Sequence, residues 1–220
     1  EAFNSIVLDE ERNRAFNPMV NAGAIAIAAL SEGETPQARV EAMVTLFSDF
    51  AGRRLEIDEA VYRSEAETGH RNRAIAYLML NSGIIERNPE EVLDLYFRQC
   101  SLMVTTEDLA IMGAVLANNG VHPVTGRRLL GPEQVRDVLT LMMSCGMYDY
   151  AGEWSFDVGL AAKSGVSGGV LAVLPGQLSL AIWSPPLDRI GNSVRGIEAC
   201  RQISRDFGLH MFYNAAAVEN

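Results

Sequence analysis

Across 220 residues, 28 acidic side chains stand against 18 basic ones. The formal charge of −10 argues against nucleic acid or an anionic membrane as partner. This length fits one domain or two small ones with a substantial core. No apolar run reaches the roughly 18 residues of a membrane helix. The start Glu1-Ala2-Phe3-Asn4 has no basic n-region, so a secretory signal is not predicted; a first residue other than Met suggests a processed or truncated product. Cys100, Cys145 and Cys200 are widely spaced among apolar residues. That usage fits reduced cytosolic thiols and neither a disulfide framework nor a zinc site.

In chain order, Asn17-Pro18 predicts the start of a buried helix of small apolar residues through Leu30, with Asn21 inside it. Thr35-Pro36 opens an amphipathic helix carrying Val40, Met43, Val44, Phe47 and Phe50 and closed by Gly52. Asp58 caps the next, through Val61 and Tyr62, and another runs from about Ala74 to Gly83. Asn88-Pro89-Glu90-Glu91 is a strong helix start. Thr105 or Thr106 caps a helix ending near Asn118-Asn119-Gly120, and Gly131-Pro132-Glu133 opens one more. Beyond Gly146, residues 152–160 alternate loosely. Residues 169–174 and 178–183 read as two strands joined by a tight turn at Pro175-Gly176. A last amphipathic helix spans about Asn192 to Phe207, stopped by Gly208, and the tail Ala215-Ala216-Ala217 carries no signal. Helices, then antiparallel strands, then a covering helix make an α+β pattern.

Several residues have types suited to chemistry. A buried amide without a partner costs about 1–3 kcal/mol, so Asn21 needs backbone, a water or a ligand. Glu65 and Asn72 are seven apart; on one continuous helix they share a face about 10 Å apart, although Thr68-Gly69 is a candidate break. On residue type alone, Glu65 in Ser64-Glu65-Ala66-Glu67 reads more readily as a surface acid. Tyr148 lies in a short polar junction and serves either packing or catalysis. The glycines of Lys163-Ser164-Gly165-Val166-Ser167-Gly168-Gly169 let backbone approach a ligand, with the Val166 N–H as an oxyanion donor; the plain alternative is a flexible turn. Lys-Ser-Gly resembles the Lys-Thr/Ser-Gly element of penicillin-recognising serine enzymes. A Cys145 nucleophile with His70 or His122 as base is a further alternative, although neither histidine has a recognisable context.

Seven ordered segments together resemble the serine-dependent glutaminases, which hydrolyse L-glutamine to L-glutamate and ammonia. They are Phe3-Asn4-Ser5, residues 17–25, residues 64–72, Asp94-Leu95-Tyr96-Phe97 with Cys100-Ser101, residues 144–149, residues 162–169, and residues 183–188 with Gly191-Asn192-Ser193. The resemblance implies an α+β, β-lactamase/DD-peptidase-like fold, with a helical block packed on an antiparallel sheet and the substrate cleft between them. Residues 1–220 would form one glutaminase catalytic domain, helical over about 17–145, with the sheet and last helix over about 146–210. Asn21 would bind substrate polar groups, and Glu65 and Asn72 the α-amino and α-carboxylate end. Tyr96 and Tyr148 would line the pocket, with Tyr148 beside the scissile amide and a candidate in proton transfer. The Val166 N–H would be one of two oxyanion donors, and Lys163 would add positive charge. No cofactor or metal is implied; L-glutamine is the partner, and a cytoplasmic homodimer or homotetramer is expected.

One departure stands out. The family's nucleophile lies in a Ser-x-x-Lys pair, and no serine here has lysine three positions on; Lys163 is the only lysine. The expectation is a chain whose N-terminal segment, carrying that pair, is missing. Such a fragment would be inactive alone and would expose apolar faces. Two alternatives remain open: a penicillin-recognising serine hydrolase, and a non-catalytic amino-acid-binding module.

Overall fold

In the computed structural model, residues 2–213 are described. The chain forms two compact units, Glu1–Val104 and Thr105–Asn220.

The first unit opens with a short antiparallel pair, β1 (Leu8–Asp9) and β2 (Arg14–Ala15), and continues as five helices among the described residues. These are α1 (Asn21–Ala29), α2 (Pro36–Ala51), α3 (Glu59–Thr68), α4 (His70–Asn81) and α5 (Pro89–Cys100). Three begin on the predicted caps. The Thr35 hydroxyl accepts from the Ala38 N–H, Asp58 from Ala60 and Val61, and Asn88 from Glu90. Helix α5 is the centre of this unit: it packs against α1, α2, α3 and α4, burying Val92, Leu93, Leu95, Tyr96 and Phe97. The small residues of α1 allow the close approach, with Ile25 and Ala28 against Ile75, Ala76 and Met79 of α4 in one core.

Helix α1 starts later than predicted. Asn17 spends its side-chain oxygen on the Met19 N–H in a turn, and Val20 is the extended residue before the helix. The turn folds back over the first helical residues, so a Cβ on Gly23 would stand 2.4 Å from the Pro18 backbone. Asn21 is therefore the first helical residue, half-buried, and not an amide in a helix interior.

The second unit contains α6 (Thr106–Ala117), α7 (Pro132–Cys145), α8 (Ala151–Asp157), β3 (Ala161–Ser164), β4 (Gly169–Leu174), β5 (Leu178–Trp183) and α9 (Val194–Phe207). Thr105 is the residue that caps α6, in a reciprocal box with Asp108. The sheet runs β3-β4-β5, antiparallel throughout, with Lys163 opposite Leu171 and Leu171 opposite Ala181. Alternation along β4 supplies two layers. Val170, Ala172 and Leu174 share a core with Ile197 and Cys200 of α9. Leu171 faces the other way, against Gly113 of α6. Helices α6 and α7 thus pack with the sheet, α7 beside β3.

Most of residues 152–160 belongs to helix α8, which ends at Asp157, and not to an alternating strand. Ala151, Trp154 and Val158 share one buried face at helical spacing, and the Trp154 indole donates to the Leu160 carbonyl at 2.7 Å. The predicted hairpin and last helix are present, with Gly176 and Gly208 in left-handed conformations at their stops. The tail at residues 214–220 lies outside the described residues. No helix among those described is long and apolar enough to cross a membrane.

Gly146, just after α7, has no room for a side chain: a Cβ there would lie 1.9 Å from the Ala162 carbonyl oxygen. Gly146→Ala is expected to lose about 3 kcal/mol of stability through overpacking, read as a lower urea midpoint at unchanged slope.

Candidate active site

Four of the seven residues singled out from the sequence lie in the first unit. The Asn21 side-chain amide donates to the Asn72 side-chain oxygen Oδ1 at 3.0 Å, joining α1 to α4 across 51 positions. Residues 3 and 4 secure both helix starts: the Phe3 carbonyl accepts from the Asn21 backbone N–H at 2.9 Å, and the Asn4 carbonyl from Arg71 Nε at 2.6 Å. Glu65 and Asn72 are not on one helix, because the chain breaks at Gly69 between α3 and α4. Gly69 packs so tightly on α5 that a Cβ would meet the Phe97 ring at 2.5 Å.

Asp94 of α5 holds α3 by accepting from the Tyr62 hydroxyl, while also accepting from Arg98 Nε at 3.0 Å. The Arg98 guanidinium lies 4.1 Å over the Tyr62 ring. Glu65 on α3 and Tyr96 on α5 both act on Cys100. Cys100 is exposed as a residue, yet desolvation pushes its thiol up to about 11; the Tyr96 hydrogen bond opposes this, and the Glu65 charge adds to it.

The other three, Tyr148, Lys163 and Val166, lie in the second unit. Tyr148 is 6% exposed and stands at φ 55, a left-handed conformation that is uncommon for an aromatic residue. Its hydroxyl donates to the Ser164 carbonyl at 2.9 Å. Lys163 Nζ donates to the same carbonyl and lies 3.4 Å from the Tyr148 hydroxyl and 4.6 Å from the ring centroid. Burial lowers the Lys163 ammonium to about 8 and raises the Tyr148 phenol to about 12. The lysine loses its proton long before the phenol ionises, so it lends the phenolate no charge. Near neutral pH the pair is a cation and a neutral phenol.

The turn after β3 is closed by its glycines. Gly165 N–H donates to the Gly169 carbonyl and Gly168 N–H to the Gly165 carbonyl, both at 2.9 Å. The Trp183 indole donates to the Ser167 carbonyl at 3.0 Å. Gly168 is left-handed, and a Cβ there would lie 2.5 Å from the Ser184 carbonyl oxygen. Val166 is 48% exposed, and its N–H has no acceptor among the described residues.

The Cys–His alternative gains little. His122 is buried, and its Nδ1 accepts the Val124 and Thr125 N–H groups, which is a turn-holding role. An apolar cavity of about 700 Å³ lined in part by Val135, Leu139, Met143 and Met211 contains none of the seven residues. Sequence reasoning gave no role to Ser164 or Asn192. Both are buried, and the Ser164 hydroxyl and the Asn192 side-chain oxygen have no partner among the described residues. The Asp188-to-Asn192 spacing, suited to an Asx turn, was the available signal.

The sequence model of the Glutaminase family matches residues 1–212. The chain belongs to the Glutaminase family. Glutaminases of Trichormus variabilis and Microcystis aeruginosa are 52% and 53% identical to it over 220 and 219 residues. Each alignment takes in the whole of this chain, but only 66% and 64% of those relatives, so the chain spans just under two thirds of their length. Among solved structures, a probable glutaminase of Bacillus subtilis superposes with TM-score 0.91 at 37% identity, covering 96% of this chain and 72% of that one. Mglu in its glutamate form gives 0.91 at 43% identity, covering 96% and 50%. This glutaminase-family chain thus has the serine β-lactamase-like α+β fold of those structures.

The half-buried Lys163 sets a pH dependence. Its folded value, about 8, lies below its ordinary 10.5, so the cation opposes folding below pH 8, and the opposition is relieved as pH rises to about 10.5. Lys163→Met should therefore gain about 1–3 kcal/mol at pH 7 and abolish that share of the rise, as seen in urea midpoints of both proteins from pH 7 to 11.

Proposed function

We propose that this chain is the substrate-holding part of an amidohydrolase that converts L-glutamine and water to L-glutamate and ammonia. The observation that carries the reading is the Tyr148–Lys163–Ser164 cluster, a neutral phenol and a half-buried ammonium one short turn from the unengaged Val166 N–H. Membership of the Glutaminase family and likeness to Mglu, solved in a glutamate form, support it.

Attack on the side-chain carboxamide of glutamine develops negative charge on its oxygen, and the Val166 N–H supplies one of two donors for it. Ammonia leaves only with a proton, which the Tyr148 phenol delivers and the Lys163 ammonium beside it can replace. Glu65 takes the α-ammonium of the substrate, and Asn72 holds the α-carboxylate end. Asn21, already hydrogen-bonded to Asn72, binds further polar groups of the substrate, and the Tyr96 hydroxyl lines the pocket. We place the nucleophile, the serine of a Ser-x-x-Lys pair that forms the acyl-enzyme, outside these 220 residues, because no serine in them has a lysine three positions on. A homodimer or homotetramer in the cytoplasm accompanies this reading, and the three free cysteines suit a reducing compartment.

The deciding experiment measures ammonia release from L-glutamine by the 220-residue chain and by a version extended to include a Ser-x-x-Lys. Turnover in the extended protein alone is expected. Turnover in neither supports a binding module, and turnover by the short chain overturns the placement of the nucleophile. In the active protein, Tyr148→Phe should lower kcat by about 10²–10⁴-fold through the lost proton transfer. Glu65→Gln removes a charge-assisted bond of about 1.5–3 kcal/mol, so kcat/KM should fall by about 10- to 100-fold, chiefly through KM in steady-state assays.

A further inference from the structure

Residues 184–193, between β5 and α9, hold none of the seven residues singled out from the sequence, yet they are organised around a single carboxylate. Asp188 Oδ1 accepts the N–H groups of Ile190, Gly191 and Asn192 at 2.8, 2.8 and 3.0 Å. The Asp188 N–H donates to the Asn192 carbonyl at 2.8 Å. The Ser193 hydroxyl caps α9 and donates to the Ser184 carbonyl at 2.8 Å, fastening the loop to the end of β5.

This loop delivers the Asn192 side chain into the interior. Asn192 is 0% exposed, and its amide donates to the Met147 carbonyl at 3.4 Å. The same carbonyl accepts the Tyr150 N–H at 3.1 Å. Two donors thus fix the peptide that joins Met147 to Tyr148, and Tyr148 is the residue held at φ 55. A left-handed tyrosine persists only where its surroundings over-determine it. The other end of the Asn192 amide, Oδ1, has no partner among the described residues. A side chain needed only to fill space would be apolar here, since burying an unpartnered oxygen is costly; an asparagine is explained by its donor end.

We propose that Asn192 is a positioning residue for Tyr148: its amide, presented by the Asp188 loop, clamps the Met147 carbonyl and so holds the left-handed turn that aims the phenol at the Ser164 carbonyl and Lys163. The proposal rests on the reading of Tyr148 as the proton-transfer group.

The test uses the full-length protein with Asn192→Ala and Asn192→Asp, the second keeping the shape but replacing the donor by a carboxylate. Both should lower kcat for ammonia release by about tenfold or more with KM changed less than about threefold. In protein labelled at the tyrosine ζ carbon, the NMR signal that disappears in Tyr148→Phe should shift in both variants. If neither variant folds, Asp188→Asn, which loosens the loop, should shift the same signal and lower kcat to a smaller degree. A Tyr148 signal and kcat left unchanged, with only a lower melting temperature, would overturn the proposal. If the unaltered protein releases no ammonia from glutamine, the functional reading fails, and the NMR signal still decides whether Asn192 holds Tyr148.

Discussion

The backbone of Gly146 lies against β3 with no space for even a methyl group, and its carbonyl accepts the Ser164 N–H at 3.1 Å. Much of the second unit's chemistry depends on that contact. It draws the chain after α7 onto the strand that carries Lys163, so Tyr148 meets Ser164 and Lys163 within two residues of the docking point. Tyr148 makes this short crossing in a left-handed turn, and the Asn192 amide donates to the Met147 carbonyl just before it. Burial then shapes the electrostatics: it disfavours the charge on both Lys163 and Tyr148, bringing the ammonium close to neutral pH and keeping the phenol protonated.

The first unit solves a different problem, which is to hold polar groups still on a helical frame. A neutral hydrogen bond such as Asn21 to Asn72 contributes only about 1 kcal/mol, too little to set the packing of α1 on α4. The packing is set by the apolar face of α5 and the small residues of α1, and the amide pair reports that arrangement. Asp94 shows the same division of labour. Its bond from the Tyr62 hydroxyl joins α3 to α5, while Arg98, on α5 itself, steadies the carboxylate that makes that bond.

Helix starts were legible because capping is local chemistry. Thr35, Asp58, Asn88 and Thr105 each accept from backbone donors two or three residues on, a distance that any sequence reading spans. The same signal misled at Asn17, whose side chain took a turn N–H while the packing of Gly23 on Pro18 delayed the helix. Residues 152–160 misled because a single large side chain, Trp154, outweighs a weak alternation once it has a core to enter.

By itself, the sequence determined the helix caps, the hairpin, the α+β order and the family's set of polar residues, since each of these rests on neighbours in the chain or on residue identity. Only tertiary structure decided that Glu65 and Asn72 sit on separate helices, that Tyr148 adopts a left-handed turn, and that Asn192 reaches its backbone. Those outcomes come from contacts between residues in different elements of the chain, at Gly69 on Phe97, Gly146 on Ala162 and Asn192 on Met147. Close packing at such points leaves one conformation available; the local signal at Thr68-Gly69 only made a break possible, and the contact on Phe97 settled it.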